Sequence, residues 1–427
     1  MKKKWLLGMM LAPALTFAGG FQLNLQGAKA VGLGGAFTGW ANDASSVFFN
    51  PGGMTQLSGH NLYLGVQYVT PSVSLQTDLS DNINQTTGSS NPVQFYYVGK
   101  LNSEKLDKLR FGMLVNNQFG SSSSFEDSWE GRYIVQNISL KTFMYQPTVA
   151  YQLHDKFSIG AGFVYTSGSF SYEKAVPVAS SSSDYGKAHL EGSGKATGFN
   201  VGAFSTIIDN DELTISAGVN YRSKLKLDLT SGTAQFTDIP SSLEYQFPSE
   251  TGFTSSLTLP SVFTFGFRVT KHLNEDMDIS LVYDYNQTGW SSYDTLSFDF
   301  ENEDTPDSKT VKNWQNTPTH RIGVALDYKE TISVRAGLYI DKTPIEDGYV
   351  SPELPDADQT AYTAGFSYKV NDMFTFDFSF IRQSSERTAS LDAANFNASY
   401  RRKVNVYGVG LNFTFGVTED ASASSIE

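Results

Sequence analysis

The sequence predicts an all-β protein: a 14-stranded antiparallel transmembrane β-barrel with an N-terminal hatch, or plug, inside its lumen. Three observations carry this. Fourteen stretches read as strands, their connectors alternate between short polar turns and long segments rich in Ser, Thr, Asn and Asp, and the residues ahead of the first strand have no strand periodicity. Alternation of tight and long connectors is the mark of a barrel with periplasmic turns on one rim and extracellular loops on the other.

Taken in order, the chain opens with Lys2, Lys3 and Lys4, an apolar run over 5–17 and then Ala18-Gly19-Gly20. A basic start, an apolar run and small residues predict an export signal spanning 1–18, cleaved after Ala18. Residues 19–60 are rich in Gly, Ala and Asn, their apolar positions are irregular, and they are too many for a lead-in to a strand. They are predicted to form the hatch.

The barrel is predicted over 61–415. Its strands are expected at 61–73, 93–102, 109–119, 140–153, 157–172, 187–208, 213–228, 253–269, 277–289, 321–328, 332–339, 361–368, 374–383 and 403–415. The short turns fall at 103–108, 154–156, 209–212, 270–276, 329–331 and 371–373; an even strand count brings both ends of the barrel to the same rim. Tyr407, Val409, Leu411, Phe413 and Phe415 share one face of the last strand, against Gly408, Gly410, Asn412 and Thr414 on the other. Phe374, Phe376, Phe378 and Phe380 repeat the pattern against Thr375, Asp377 and Ser379. A soluble sandwich also alternates; the partition of the long loops to one rim favours a barrel. Closure removes every strand edge, which hydrocarbon demands because it offers no hydrogen bonds to backbone groups. A tail, 416–427, follows the terminal aromatic Phe415.

Composition excludes other classes. No internal stretch approaches the eighteen or so apolar residues that a spanning helix needs. The chain has no cysteine, hence no disulfide framework and no thiolate metal site. A net charge of −13 argues against a nucleic-acid partner. The five histidines, His60, His154, His189, His272 and His320, show no metal-ligand spacing, and there is neither a Gly-x-Ser-x-Gly elbow nor a phosphate loop. No enzyme activity and no cofactor are expected; a barrel phospholipase or protease has no grouped His, Ser or Asp signature to support it.

Within the hatch, Gly20-Phe21-Gln22-Leu23-Asn24, then Gly32-Leu33-Gly34-Gly35-Ala36-Phe37, then Asp43 through Asn50-Pro51-Gly52-Gly53-Met54 resemble the N-terminal hatch of the FadL family of long-chain fatty-acid transporters. Gly52 stands where that family carries Ala in an Asn-Pro-Ala motif. The resemblance continues through Trp129-Glu130-Gly131-Arg132-Tyr133, Asn220-Tyr221-Arg222-Ser223-Lys224, Leu257-Thr258-Leu259-Pro260, His320-Arg321-Ile322-Gly323, Asp341-Lys342-Thr343-Pro344 and Leu354-Pro355-Asp356-Ala357-Asp358. It implies diffusion of a hydrophobic molecule across a Gram-negative outer membrane by a monomer. The ligand is caught in an outer groove, passes to an apolar pocket and leaves sideways through a gap made by an inward kink of the third strand. A sixteen-carbon chain gains roughly 10 kcal/mol on burial at about 0.8 kcal/mol per CH₂, and a charge-assisted hydrogen bond to its carboxylate adds about 1.5–3 kcal/mol.

Site residues follow from this resemblance. Lys312 stands nine residues before Arg321, where the family carries a basic residue facing the ligand carboxylate; the other reading is a solvated lysine beside Glu301, Glu303, Asp304 and Asp307. The family's second basic residue, near the outer end of strand five, is missing from Thr166-Ser167-Gly168-Ser169, with Lys174 a nearby substitute, so aromatic hydrocarbons stand as an alternative cargo. Phe21, Phe236 and Phe247 are the candidate apolar contacts; Phe236 and Phe247 read equally as an aromatic girdle or as part of a strand above the membrane. The gating candidates are Asn50 and Pro51 in the hatch and Asn116, Asn117 and Gly120 at the strand-three kink, whose other reading is a strand merely reaching the headgroups. A porin for polar solutes is the rival function; a hatch argues against it.

Overall fold

The computed structural model describes residues 19–80, 83–85, 88–101, 103–180 and 183–416. The predicted export signal and all of the tail beyond Gly416 lie outside them. Fourteen strands form the wall: β1 (His60–Gln76), β2 (Val93–Gly99), β3 (Leu109–Asn116), β4 (Asn137–His154), β5 (Phe157–Val176), β6 (Gly186–Asp209) and β7 (Leu213–Arg222). The second seven are β8 (Val262–Asn274), β9 (Met277–Thr288), β10 (Thr317–Tyr328), β11 (Ile332–Asp341), β12 (Gln359–Lys369), β13 (Phe374–Leu391) and β14 (Phe396–Phe415). Each is antiparallel to the next, and β14 returns to β1 with Phe415 opposite His60 and Ser399 opposite Gln76. The barrel is closed and both its ends lie on the short-turn rim.

Side chains follow the pleat. Leu64, Val66, Phe95, Ile159, Val201, Phe263, Leu281, Val324, Phe366 and Val409 face outward and are exposed, an apolar belt that water would not reward. Gln94, Gln146, Asn200, Asp284, Thr363 and Asp377 face inward and are buried.

Several strand ends differ from expectation. The seventh strand does not run to residue 228: the wall strand stops at Arg222 and a separate strand, Leu225–Thr237, begins. At that break Ser223 exchanges hydrogen bonds with the Phe199 backbone, its N–H to the carbonyl and its Oγ accepting from the amide, both at 2.9 Å. The expected eighth strand is likewise two strands, Glu250–Leu259 and β8, interrupted at Pro260, which has no N–H for a ladder. Leu225–Thr237 and Glu250–Leu259 pair with each other and, with Thr295–Phe300, extend the sheet above the wall. The turn expected over 270–276 is tighter, because Thr270 to Asn274 remain paired with β9. The connector expected after residue 383 is a hairpin: β13 and β14 stay paired up to Leu391 opposite Phe396.

Residues 19–59 fill the lumen. Their helical pieces, α1 (Ala28–Gly32), α2 (Ser46–Phe49) and a 3₁₀ turn at Pro51–Gln56, are too short to persist alone. The wall holds them. Gly27 N–H donates to Gln94 Oε1 at 2.9 Å, Ala28 N–H to the Tyr63 hydroxyl at 2.8 Å, Gly34 N–H to Thr363 Oγ1 at 2.9 Å, and the amides of Phe37 and Thr38 to Asp284 Oδ2 at 3.0 Å each. These partners sit on β2, β1, β12 and β9, so the segment is ringed by wall. A plug of irregular backbone leaves donors unpaired, which is why the inward faces are polar.

Candidate ligand path and wall opening

Above the membrane belt the interior is aromatic. Phe236, on Leu225–Thr237, packs on Phe247 at 5.4 Å between ring centroids and on Phe300 at 6.2 Å. Phe300 meets Phe253 at 6.2 Å, Phe253 meets Phe298 at 5.4 Å, and Phe298 stacks on Tyr172 of β5 at 6.2 Å. Phe236 therefore lies on a strand extended above the wall, and Phe247 in the connector that follows it, packed against it.

Deeper, Phe21 inserts into a second aromatic group. Its ring centroid lies 4.8 Å from Trp290, 5.5 Å from Tyr293, 5.6 Å from Trp314 and 6.1 Å from Phe119. Lys312 lies beside this group and only 5% of it is exposed, so it is not a solvated loop lysine. Its ammonium pairs with the Glu353 carboxylate. Burial opposes the charge on Lys312, but Glu353 and Tyr293 outweigh it and hold its pKa above the ordinary lysine value. Glu353 also acts electrostatically on Lys174, the other basic residue singled out in the sequence. Among the described residues, Lys312 alone lies within ion-pair distance of Glu353.

The strand-three irregularity falls at residues 117–119. Asn116 faces Met144 on β4, and pairing resumes at Gly120 opposite Lys141, so three residues of one strand span two of the other. That is the count of a bulge. The bulged backbone turns to the hatch: Leu23 N–H donates to Gln118 O at 2.8 Å and Gly120 N–H to Phe21 O at 3.0 Å. Asn116 Nδ2 donates to Gln26 Oε1 at 2.7 Å. The Asn117 side chain takes the vacated ladder position, accepting from Val93 N–H of β2 at 3.1 Å and donating to Thr142 O of β4 at 2.7 Å. The kink and the hatch N-terminus are one hydrogen-bonded unit, with Phe21 on its outer side.

Asn50 and Pro51 occupy a different place, low on the wall. Asn50 Nδ2 donates to Ala203 O at 2.9 Å and Thr38 O at 3.1 Å, while its Oδ1 accepts from Gly52 N–H at 3.1 Å as cap of the 3₁₀ turn. Pro51 begins that turn, where its missing N–H costs nothing. Wall glycines make the socket: a Cβ on Gly202 would lie 2.4 Å from Asn50 Oδ1, and one on Gly160 would lie 2.6 Å from Pro51.

The expected site residues thus form three groups: Phe21 with Lys312, Phe236 with Phe247, and Asn116, Asn117 and Gly120 against the hatch, with Asn50 and Pro51 apart from all three. Sequence reading missed Trp290, Tyr293 and Glu353. Trp314 was within reach, two residues after Lys312; Glu353 carried no signal, being one acidic residue among many in the connectors.

A protein-family model described as outer membrane protein transport protein (OMPP1/FadL/TodX) matches residues 9–415. The long-chain fatty acid transport protein of Escherichia coli K12 is 22% identical over 452 residues, covering 96% of this chain and 97% of the relative. That of Salmonella typhi is 23% identical over 433 residues, covering 93% and 95%. The crystal structure of a Pseudomonas aeruginosa FadL homologue superposes with a TM-score of 0.77 at 17% identity, over 93% of this chain and 100% of that one. The Pseudomonas putida toluene transporter TodX does so at 0.66 and 16%, over 94% and 99%. At such identities these structures bear on fold alone. The chain belongs to the OMPP1/FadL/TodX family and is an outer-membrane transporter of hydrophobic compounds in the Gram-negative envelope, not an enzyme.

Proposed function

We propose that this transporter takes up long-chain fatty acids by energy-independent diffusion, from the outer aromatic tract to the group around Phe21 and Lys312, and then sideways into the bilayer at Asn116 to Gly120. The observation that carries this reading is the buried Lys312, paired with the Glu353 carboxylate, beside an aromatic enclosure. An anionic head can take the place of Glu353 on the Lys312 ammonium while its tail lies among the aromatic rings. Sideways exit follows from the cargo, since an alkyl chain gains nothing by entering water beneath the hatch.

The test is binding of palmitate against hexadecanol, equal in length and uncharged. Glu353→Gln removes the internal competitor and is expected to tighten palmitate several-fold with hexadecanol unchanged. Lys312→Met in that background is expected to weaken palmitate by about 1–3 kcal/mol. Parallel changes for both ligands would assign Lys312 to the fold. An aromatic-hydrocarbon cargo is favoured by the aromatic walls of the Phe21 enclosure, and toluene binding tighter than palmitate would establish it. Liposome swelling with small sugars tests the porin reading, which the filled lumen disfavours.

A further inference from the structure

Below Phe21 lies a second compartment. A cavity of about 40 Å³, room for a head group and not for a tail, is lined by Gln22 and Leu23 of the hatch, Gln118 of the kink, Phe48, Arg222 and Arg321 among others. The Phe21–Leu23 ribbon, bonded to Gln118 and Gly120, separates it from the aromatic enclosure.

Its two arginines are held differently. Arg321 donates to Asn24 Oδ1 at 2.8 Å, Gly34 O at 3.1 Å and Asn286 Oδ1 at 3.2 Å. Asn24 in turn donates to Asp341, and Asp284 lines the same cavity, so Arg321 has acidic neighbours. Arg222 is 2% exposed and donates to Gln146 Oε1 at 2.6 Å, Met144 Sδ at 3.3 Å and Phe48 O at 3.3 Å, with its guanidinium 4.7 Å from the Phe48 ring centroid. Every one of these partners is neutral, and among the described residues no carboxylate lies within ion-pair distance of it. A buried cation without a counter-charge is costly, and such a residue inside a membrane protein marks an ion or substrate path. Its planar fork suits a carboxylate bidentately.

We propose that Arg222 forms a second carboxylate station on the luminal side of Phe21, receiving the anionic head of an amphiphile in transit between the Lys312 enclosure and the strand-three kink. This rests on the fatty-acid reading above. A transporter with two stations of like charge hands the head from one to the other while the tail moves through the kink, so the head never crosses the ribbon unaccompanied.

The test uses full-length protein in nanodiscs and [1-¹³C]palmitate, read by ¹³C NMR of the bound carboxylate. Two bound resonances are expected in the wild type, one in Arg222→Gln, and two in Arg222→Lys with the second shifted. Hexadecanol binding is expected to be unchanged in both variants, and retained β-rich circular dichroism with heat-modifiable migration reports folding. Two resonances in folded Arg222→Gln, or equal loss of palmitate and hexadecanol, would overturn the second station and leave the Lys312 reading intact. A single bound resonance in the wild type would overturn it even if the variant failed to fold. No bound palmitate in the wild type would overturn both.

Discussion

The interior above Phe21 is chiefly apolar, whereas below it a hatch with its own small apolar core at Leu33, Phe37 and Trp40 is fixed to the wall by polar groups. Above, Phe236, Phe253, Phe298, Trp290 and Trp314 form one apolar cluster, and Lys312 and Glu353 are its buried ion pair. Below, amides, hydroxyls and charges from the wall bond an irregular plug. The apolar half gives a chain-like ligand affinity proportional to buried area, with little demand on its position. The polar half demands position and gives little affinity to a tail. A tail drawn into the first therefore has no reason to continue down the second, whose charges suit a head group alone, and the boundary between them, where Phe21–Leu23 pairs with Gln118–Gly120, is where the proposed sideways exit is expected.

The largest effect is expected from fixing that boundary. The chain has no cysteine, so Val93→Cys with Asn117→Cys introduces its only thiols, at positions where the Asn117 side chain already contacts the Val93 amide at 3.1 Å. Oxidised protein is expected to bind palmitate normally and to lose nearly all uptake, with recovery on reduction. Undiminished uptake by fully cross-linked protein would remove the exit from this position.

Next in size is separating the plug from its socket. Gly202→Val places side-chain atoms where Asn50 and Pro51 now sit, and overpacking of this kind costs about 1–3 kcal/mol. The wall strands are expected to stay paired and the plug to loosen, seen as leakage of small sugars from liposomes. Asn50→Ala, which removes the cap and the bonds to Ala203 O and Thr38 O but adds no bulk to the socket, is expected to leak less. A sealed Gly202→Val barrel would mean that the plug is held elsewhere, at Asp284 or Thr363.

Much of this comparison was legible in the sequence. Strand existence survived because period-two alternation with an apolar outer face has few competing explanations. The break in pairing between Asn116 and Gly120 falls where polar residues and a glycine interrupt an apolar run. What failed was telling wall from superstructure: Leu225–Thr237 and Glu250–Leu259 alternate as wall strands do, and only Ser223 and Pro260 mark the departure. Strands β13 and β14 ran past their expected ends because residues 384–402 are mostly Ser, Asn, Asp, Glu and Arg, which reads as loop although the ladder persists. Glu353 was invisible for another reason. Its pairing with Lys312 joins two separate connectors, and nothing local encodes such a meeting.

The finest distinction between the two halves concerns how the hatch N-terminus is tied to the outer loops, and it is expected to depend on pH. Asp356, in the connector between β11 and β12, is buried; its Oδ2 accepts from Gly20 N–H at 3.1 Å and from Thr343 Oγ1 at 3.0 Å, and Arg402 approaches Oδ1 at 3.9 Å. Burial raises its pKa to about 7, more than Arg402 and the two donors offset. A carboxyl whose folded pKa is raised stabilises the fold in its neutral form: that contribution is whole below the ordinary value near 3.8 and declines as pH climbs through about 7. The tie from Gly20 to the outer loops is therefore expected to be firm at pH 5 and weaker at pH 8. Asp356→Asn keeps an acceptor and removes the titration, so its tie is expected to match the wild type at pH 5 and to stay firm at pH 8. Amide exchange over residues 19–25, corrected for the intrinsic pH dependence of exchange, reads this directly. Equal loosening of wild type and Asp356→Asn between pH 5 and 8 would place the sensitive group elsewhere.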